Sequence, residues 1–234
     1  MFEFIALTLI TLAAVVLFAR NLETAIALYA TLTILANLVS FKIVYIGEVG
    51  PLILVGPAGV IAYSATFLLT DFLTEVAGKE YAKRAVFAGF LANILTVIVV
   101  FEALIQRPFA MSSEEVDAFN KVLGFAPRII LASIVAFIVA QTHDVYAFHF
   151  WKKITKNRFL WLRNNASTVV SQAIDTVLFI TIAFYGLIPN DVLVAMILTQ
   201  YLIKVLIALI DTPFMYLSVW IFEKSWKAKF ASKT

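Results

Sequence analysis

Several ionisable side chains of this sequence stand inside long apolar stretches, where they could bind a polar molecule. Asp144, Asp175 and Lys204 are the clearest cases. A charged side chain at the centre of a bilayer costs at least about 2.5 kcal/mol on insertion scales, so such residues usually face a cavity or a partner. The carboxylates could accept hydrogen bonds from N–H groups. Lys204 most simply neutralises a carboxylate, for which the candidates are Asp71, Asp175 and Asp211.

The motif Gln-x-x-Asp-x-x-x-Phe occurs twice, at residues 141–148 and 172–179. Its spacing puts Gln, Asp and Phe on neighbouring turns of one helix face. The two helices should run antiparallel, so the two Gln-Asp pairs could converge on one pocket, which would suit a planar heterocycle with several N–H groups. Alternatively, these polar groups hold the helices together without touching a substrate.

The elements around these residues are predicted to be membrane helices. Hydrophobic residues make up 62% of the 234 residues and charged residues 14%, and the mean hydropathy is +0.96. The charges fall between long apolar runs, as in loops between membrane spans. Cysteine is absent and histidine occurs twice, which excludes disulfides and thiolate metal sites and leaves too few ligands for a histidine site. We expect neither a metal nor a cofactor.

Seven apolar segments approach or exceed the roughly 20 residues that a spanning helix needs. They lie at residues 2–19, 24–41, 57–76, 85–105, 129–148, 167–187 and 192–222. The last is long enough to tilt or to bend at Pro213. Glycines and prolines interrupt the run from Tyr45 to Gly59, which predicts either an interfacial hairpin or a re-entrant segment. We therefore predict an all-α membrane bundle of about seven transmembrane helices, forming one domain over residues 1–234.

Lysine and arginine are unequally distributed between the two sides of this seven-helix arrangement. One side carries thirteen of the eighteen: Arg20, Lys79, Lys83, Arg84, Lys152, Lys153, Lys156, Arg158, Arg163, Lys224, Lys227, Lys229 and Lys233. The other side carries Lys42, Arg107, Lys121 and Arg128. Because cytoplasmic loops are enriched in these residues, the C-terminus is predicted in the cytoplasm and the N-terminus outside. The net charge of +3 then reflects topology and not nucleic-acid binding.

One extramembrane segment has the sequence pattern of an ordered helix. Ser112 and Glu115 have the spacing of a capping box, and apolar residues follow at helical spacing. A short amphipathic helix on the outer surface is predicted, either covering helix ends or gating access to a substrate.

Polar motifs recur in a defined order along the chain. They are Gly59-x(11)-Asp71-x-x-x-Glu75-x-x-Gly78, Pro127-Arg128-Ile129 with Ala132-Ser133, Gln141-x-x-Asp144, Trp161-Leu162-Arg163-Asn164-Asn165-Ala166-Ser167 with Gln172-x-x-Asp175-x-x-x-Phe179, and Lys204 followed by Thr212-Pro213. This pattern closely resembles the queuosine precursor transporter family, also called the VUT or vitamin uptake transporter family. The resemblance covers roughly residues 34–216. It departs from the family at Ser64, where proline is usual, and in the first helix, which many members lack.

The resemblance implies import of a 7-deazapurine precursor of queuosine or archaeosine across a prokaryotic inner membrane. The candidates are 7-cyano- or 7-aminomethyl-7-deazaguanine and queuine, carried by alternating access through a six-helix core plus the N-terminal helix. The implied substrate-binding residues are Asn37, Asp71, Gln141, Asp144, Gln172, Asp175 and Lys204. The implied secondary or structural residues are Glu75, Arg128, Ser133, Arg163, Asn164 and Ser167.

Two other function classes are alternatives to a carrier. A substrate-binding subunit like the S-components of energy-coupling factor transporters, for a vitamin or nucleobase, would need a separate ATPase module, since the chain has no Walker A motif. An intramembrane enzyme is disfavoured because the sequence has no His-Glu-x-x-His and no Gly-x-Ser-x-Gly motif. The expected partners are therefore a small molecule and the lipid bilayer, and the sequence leaves self-association open.

Overall fold

Helices dominate the computed structural model, which describes residues 2–50, 52–154 and 160–231. Within these ranges the chain forms eight helices and one β-hairpin. The elements are α1 (Phe2–Phe18), α2 (Leu22–Val39), β1 (Ile43–Val49), β2 (Leu52–Pro57), α3 (Val60–Ala77), α4 (Lys79–Ile105), α5 (Ser113–Leu123), α6 (Ala126–Ile154), α7 (Leu160–Phe184) and α8 (Asn190–Ala231). The seven predicted segments match the seven helices other than α5. Helices α4, α6 and α7 begin several residues earlier than predicted, α6 and α8 end later, and α7 ends three residues earlier.

Five helical stretches in the described ranges are long and apolar enough to cross a membrane. They are Leu22–Val39, Val60–Ala77, Lys79–Ile105, Ser113–Ala140 and Asn190–Ile207, beside the shorter apolar helices Phe2–Phe18 and Val169–Phe184. The exposed side chains of α4 include Phe87, Leu95 and Phe101, each about 60% exposed. An apolar outer surface is unfavourable in water and suits lipid. The chain is thus a helical membrane protein, and its hairpin is the exception to the all-α prediction.

One end of the bundle is closed by an apolar cluster, here called the Phe72 cluster. Leu12 and Val16 near the end of α1 pack with Leu69 and Phe72 near the end of α3. The starts of α2 and α4 contribute Ala25, Tyr29 and Ala85. The ends of α1 and α3 thus meet the starts of α2 and α4, so consecutive helices alternate in direction.

The other end of the bundle has its own apolar cluster, here called the Ile129 cluster. Ile129 near the start of α6 packs with Phe184 at the end of α7 and with Leu193 near the start of α8. Phe41, just after α2, packs against this cluster and its ring stacks on that of Phe125, with the ring centroids 4.5 Å apart. The start of α2 therefore lies at the Phe72 end of the bundle and its end at the Ile129 end, which agrees with the alternation of helix direction.

The hairpin formed by β1 and β2 packs against α3 and α8. The strands pair antiparallel from Ile43 opposite Pro57 to Val49 opposite Leu52, with an irregularity between Tyr45 and Gly47. Ile46 and Leu54 are buried against residues of α3 and α8, and the backbone N–H of Val55 donates to Thr199 Oγ1 at 3.3 Å. Protein contacts of this kind are what non-helical backbone needs at membrane depth. The chain thus forms a hairpin whose partners belong to the bundle, and the choice between an interfacial and a re-entrant position stays a prediction.

The amphipathic helix α5 is confirmed with its predicted cap. Ser112 is the N-cap, and the reciprocal bonds between Ser112 and Glu115 complete the capping box. None of its residues is buried, and Phe119 and Val122 are about 40% or more exposed. Helix α8 runs from Asn190 to Ala231, and the expected tilt of this segment or bend at Pro213 stays a prediction.

Candidate functional site

A buried ion pair joins α7 to α8 in the interior of the bundle. Lys204 Nζ lies 2.5 Å from Asp175 Oδ2, and the two residues are 5% and 7% exposed. The ammonium of Lys204 also lies 5.4 Å from the ring centroid of Tyr63 on α3, within cation–π range. An intramembrane lysine needs such partners because its charge is costly to bury alone. The prediction that Lys204 neutralises a carboxylate is confirmed, and the partner is Asp175.

A cavity of about 20 Å³, which has room for about one water molecule, adjoins this ion pair. It is lined by the end of α2, by the end of β2 and the start of α3, and by parts of α6, α7 and α8. The lining residues are Ala36, Asn37, Ser40, Pro57, Gly59, Val60, Tyr63, Ser133, Asp175, Phe179 and Gln200. Helical spacing explains two of the walls: Asp175 and Phe179 are four residues apart on α7, and Gln200 and Lys204 are four apart on α8. This volume is well below the roughly 300–1,000 Å³ of small-molecule pockets, so the surrounding helices must separate before a molecule larger than water can enter.

A second polar network lies beside the cavity, between α2 and α4. Asn37 Nδ2 donates to Asn93 Oδ1 at 2.7 Å. Asn93 Nδ2 donates in turn to Thr33 Oγ1 at 3.2 Å and to the carbonyl of Gly89 at 2.8 Å. Asn37 therefore belongs both to the cavity wall and to an interhelical contact.

Gly59 brings the start of α3 unusually close to α2. A Cβ at this position would lie 2.1 Å from the carbonyl oxygen of Ala36 and 2.3 Å from Ser40 Oγ. Ser40 Oγ itself donates to that carbonyl at 2.6 Å. Only glycine fits this approach, so it fixes the width of the cavity between α2 and α3.

Four of the residues singled out from the sequence are found at the cavity or next to it. Asn37, Ser133 and Asp175 line it, and Lys204 contacts it through Asp175. Gln172 lies one turn from Asp175 on α7 but is not among the lining residues. Its Oε1 is buried and has no hydrogen-bond partner within the described ranges.

Three predicted residues lie away from the cavity. Asp71 and Glu75 are exposed side chains near the end of α3, beside the Phe72 cluster. Arg128, near the start of α6, donates from Nε to the carbonyl of Ile182 at 2.8 Å and from Nη2 to that of Tyr185 at 2.7 Å. A basic residue bonded to the last carbonyls of a helix is a C-terminal cap. Arg128 thus binds the end of α7, and its secondary or structural role in the protein stays a prediction.

The remaining predicted side chains fall outside what the structure describes: Gln141, Asp144, Arg163, Asn164 and Ser167, together with Asp211. The helices that carry the two Gln-Asp motifs are nevertheless antiparallel neighbours, since Ala136 packs with Ile180. Farther along, His143 Nδ1 lies 3.0 Å from Ser171 Oγ. The backbone at 141–144 therefore runs beside the segment 171–175.

Tyr63 and Gln200 were missed by the sequence reasoning. Tyr63 stands in an apolar helix and resembles an ordinary packing aromatic. Gln200 lies one turn before Lys204, and a polar residue on the same face as an intramembrane cation was a usable signal.

The chemistry of the cavity is that of hydrogen bonding to a flat, polar molecule. Asp175 and Gln200 provide oxygen acceptors, and the rings of Tyr63 and Phe179 provide flat apolar surface. The charges of Asp175 and Lys204 cancel. The described part of the chain contains no group of three or more His, Asp or Glu able to hold a metal ion.

Comparison with known proteins gives a consistent result. Residues 57–218 match the family described as “Putative vitamin uptake transporter”. The chain is 39% identical over 159 residues, 68% of its length and 69% of the relative's, to the “Probable queuosine precursor transporter” of Bacillus subtilis. It is 29% identical over 157 residues, 65% of its length and 67% of the relative's, to the “Queuosine precursor transporter” of Escherichia coli. No solved structure matches it significantly.

Proposed function

We propose that this chain, which belongs to the vitamin uptake transporter (VUT) family, imports a queuosine precursor for tRNA modification. It is a multi-pass membrane protein of the bacterial inner membrane, as its bacterial relatives and its apolar helices indicate. Two relatives carry queuosine precursor transport in their names. The cargo is then a 7-deazapurine: 7-cyano- or 7-aminomethyl-7-deazaguanine, or queuine.

The cavity beside the Asp175–Lys204 ion pair is the observation that carries this proposal. A deazaguanine is flat and presents ring and exocyclic N–H groups. Asp175 is placed to accept such groups, while Tyr63 and Phe179 offer surfaces on which a ring can stack. Lys204 holds the carboxylate in place. The roles of Gln141, Asp144 and Gln172 are proposed as a continuation of this site along the α6–α7 interface, and Asp71 as a contact for the cargo on its way to the cytoplasm.

The topology proposed is seven spans with the N-terminus outside and the C-terminus in the cytoplasm. It draws support from the alternation of helix direction between the Phe72 and Ile129 clusters. Lys79, Lys83 and Arg84, in the first turns of α4, lie at the Phe72 end. Lys42 and Arg128 lie at the Ile129 end. The more basic Phe72 end then faces the cytoplasm.

Transport by alternating access fits this arrangement. The cavity lies toward the Ile129 end of the bundle, between the last turn of α2 and the first turn of α3, and Lys204 lies about 20 Å along α8 from its first residue at about 1.5 Å per residue. In the proposed topology the Phe72 cluster closes the cytoplasmic end, and the hairpin packs on the outer side. Rocking of one group of helices against the other around a fixed site would open the two ends in turn.

Uptake of a radiolabelled deazapurine tests the proposal. The chain is expressed alone in cells that lack their own transporter and an energy-coupling ATPase, and uptake of 7-cyano-7-deazaguanine is measured. We expect uptake by the wild type and loss of most of it in Asp175→Asn and Lys204→Met. Asp117→Asn removes an exposed carboxylate on α5 and serves as the matched control.

Two results would decide against the proposal. Full uptake in both Asp175→Asn and Lys204→Met would show that the ion pair is not part of the transport site. Uptake that depends completely on added ATPase subunits would favour a substrate-binding subunit over a carrier. Competition by unlabelled 7-aminomethyl-7-deazaguanine and queuine then ranks the three cargoes.

A further inference from the structure

Gln200 on α8 has a buried amide oxygen without a protein partner. The residue is 3% exposed and lines the cavity. Its Oε1 has no hydrogen-bond partner in the described part of the chain. A buried acceptor left unpaired costs free energy, and native proteins retain few of them. Such a group at the wall of a cavity is therefore best explained by a molecule that enters the cavity and supplies the missing donor.

The polar residues near Gln200 differ from it in that they form hydrogen bonds between elements of the protein. Its neighbour Thr199 is fully buried and has its partner in the protein, the backbone N–H of Val55. Asn93 in the α2–α4 network is likewise bonded to Asn37 and Thr33. These polar groups are thus paired, whereas Oε1 of Gln200 and Oε1 of Gln172 have no partner in the described part of the chain. Of these two residues, Gln200 is the one that lines the cavity.

The position of Gln200 also fits it for contact with the cargo. One turn farther along α8, Lys204 occupies one oxygen of Asp175. The carbonyl of Gln200 adds an uncharged acceptor to the same cavity, near the ring of Phe179. A ring that stacks on Phe179 would bring its edge to the groups lining the wall, where ring or exocyclic N–H groups meet oxygen acceptors.

We propose that Gln200 determines specificity by accepting a hydrogen bond from an N–H group of the cargo through Oε1. This inference rests on the proposed function and deepens it. The ligand class is an uncharged planar heterocycle with an N–H on the edge that faces α8. An analogue with that N–H replaced by N-methyl or C–H is rejected, because Oε1 would then stay unpaired.

The test uses the purified full-length protein, wild type and Gln200→Met, with 7-cyano-7-deazaguanine as the probe. Methionine keeps the unbranched shape and removes the acceptor. We expect the Kd of the probe to rise on the order of tenfold to a hundredfold. The Tm without probe should stay the same or increase, because an unsatisfied buried group has been removed.

Thr199→Val is the matched control, since it removes a paired polar group from the adjacent position. It should lower the Tm without probe and leave the Kd unchanged. The inference is overturned if Gln200→Met lowers the Tm as Thr199→Val does and keeps the wild-type Kd, or if Gln200→Met cannot be obtained folded. If the wild type binds neither this probe nor 7-aminomethyl-7-deazaguanine nor queuine, the proposed function fails and this inference fails with it.

Discussion

Two polar networks lie side by side in this bundle, and they differ in how completely they are paired. Between α2 and α4, Asn37, Asn93 and Thr33 bond one another. Between α7 and α8, Asp175 and Lys204 form an ion pair at a cavity, next to the unpaired carbonyl of Gln200. The difference suggests a rule for intramembrane polar residues: closed networks join helices, whereas a charged pair with spare acceptors at a cavity marks a site.

The largest effect on the free energy of unfolding is expected when one partner of the Asp175–Lys204 ion pair is removed. Asp175→Asn leaves the charge of Lys204 buried without its partner, which should cost about 3–5 kcal/mol of unfolding free energy. Thermal unfolding in detergent measures the loss. The double variant Asp175→Leu with Lys204→Leu should regain most of the stability while remaining inactive in uptake. A double variant as unstable as the single one would contradict this account.

A smaller loss is expected at Gly59, where the wall of the cavity meets α2. Gly59→Ala puts a Cβ against the Ala36 carbonyl, so α2 and α3 must move apart at a cost of about 1–3 kcal/mol, as for other overpacked sites. The control is Gly56→Ala, whose Cβ would meet only Ile46 Cδ1, at 3.5 Å. Equal Tm values for the two variants would show that the close approach is not maintained in solution.

The paired network should respond in stability more than in transport. Asn93→Leu removes the partner of Asn37 and should cost about 0.6–2 kcal/mol, the range for hydrogen bonds between membrane helices. The KM for uptake should change less than in Asp175→Asn. If KM rises while the Tm stays constant, the α2–α4 network belongs to the site and the rule fails here.

The smallest effect on stability is expected at the capping box of α5, a helix exposed to water. The backbone N–H and the hydroxyl of Ser112 donate to Glu115 at 2.8 and 3.0 Å, and these bonds lower the pKa of Glu115. The cap therefore contributes fully above the ordinary glutamate pKa and is lost as the pH falls through the lowered value. Hydrogen exchange at residues 113–123, corrected for intrinsic rates, should show protection falling in acid. Glu115→Gln should abolish this pH dependence, and its persistence there would exclude the cap as the cause.

The helices could be predicted because lipid imposes a simple requirement on sequence. Spans need about 20 apolar residues, and the cap at Ser112 depends on local spacing alone. The hairpin was only half predictable: the glycines and prolines between Tyr45 and Gly59 exclude a helix, but the contact of Val55 with Thr199 joins residues 144 positions apart.

The site was predictable where charge made residues conspicuous. Asp175 and Lys204 stand out because the bilayer penalises them, and the structure pairs them. Tyr63 and Gln200 do not stand out in this way, since tyrosine is common in membrane helices and a neutral amide costs less to bury. Their importance depends on which helix they face, and that is a property of tertiary packing.

The hairpin also constrains how the protein is made. Its strands at 43–57 leave the ribosome long before Thr199, which binds the backbone of Val55. Two strands alone leave outer-edge N–H and C=O groups that lipid cannot satisfy. During synthesis this segment must therefore wait in water or at the membrane surface until α8 is inserted, and docking of the hairpin should be among the last steps of assembly.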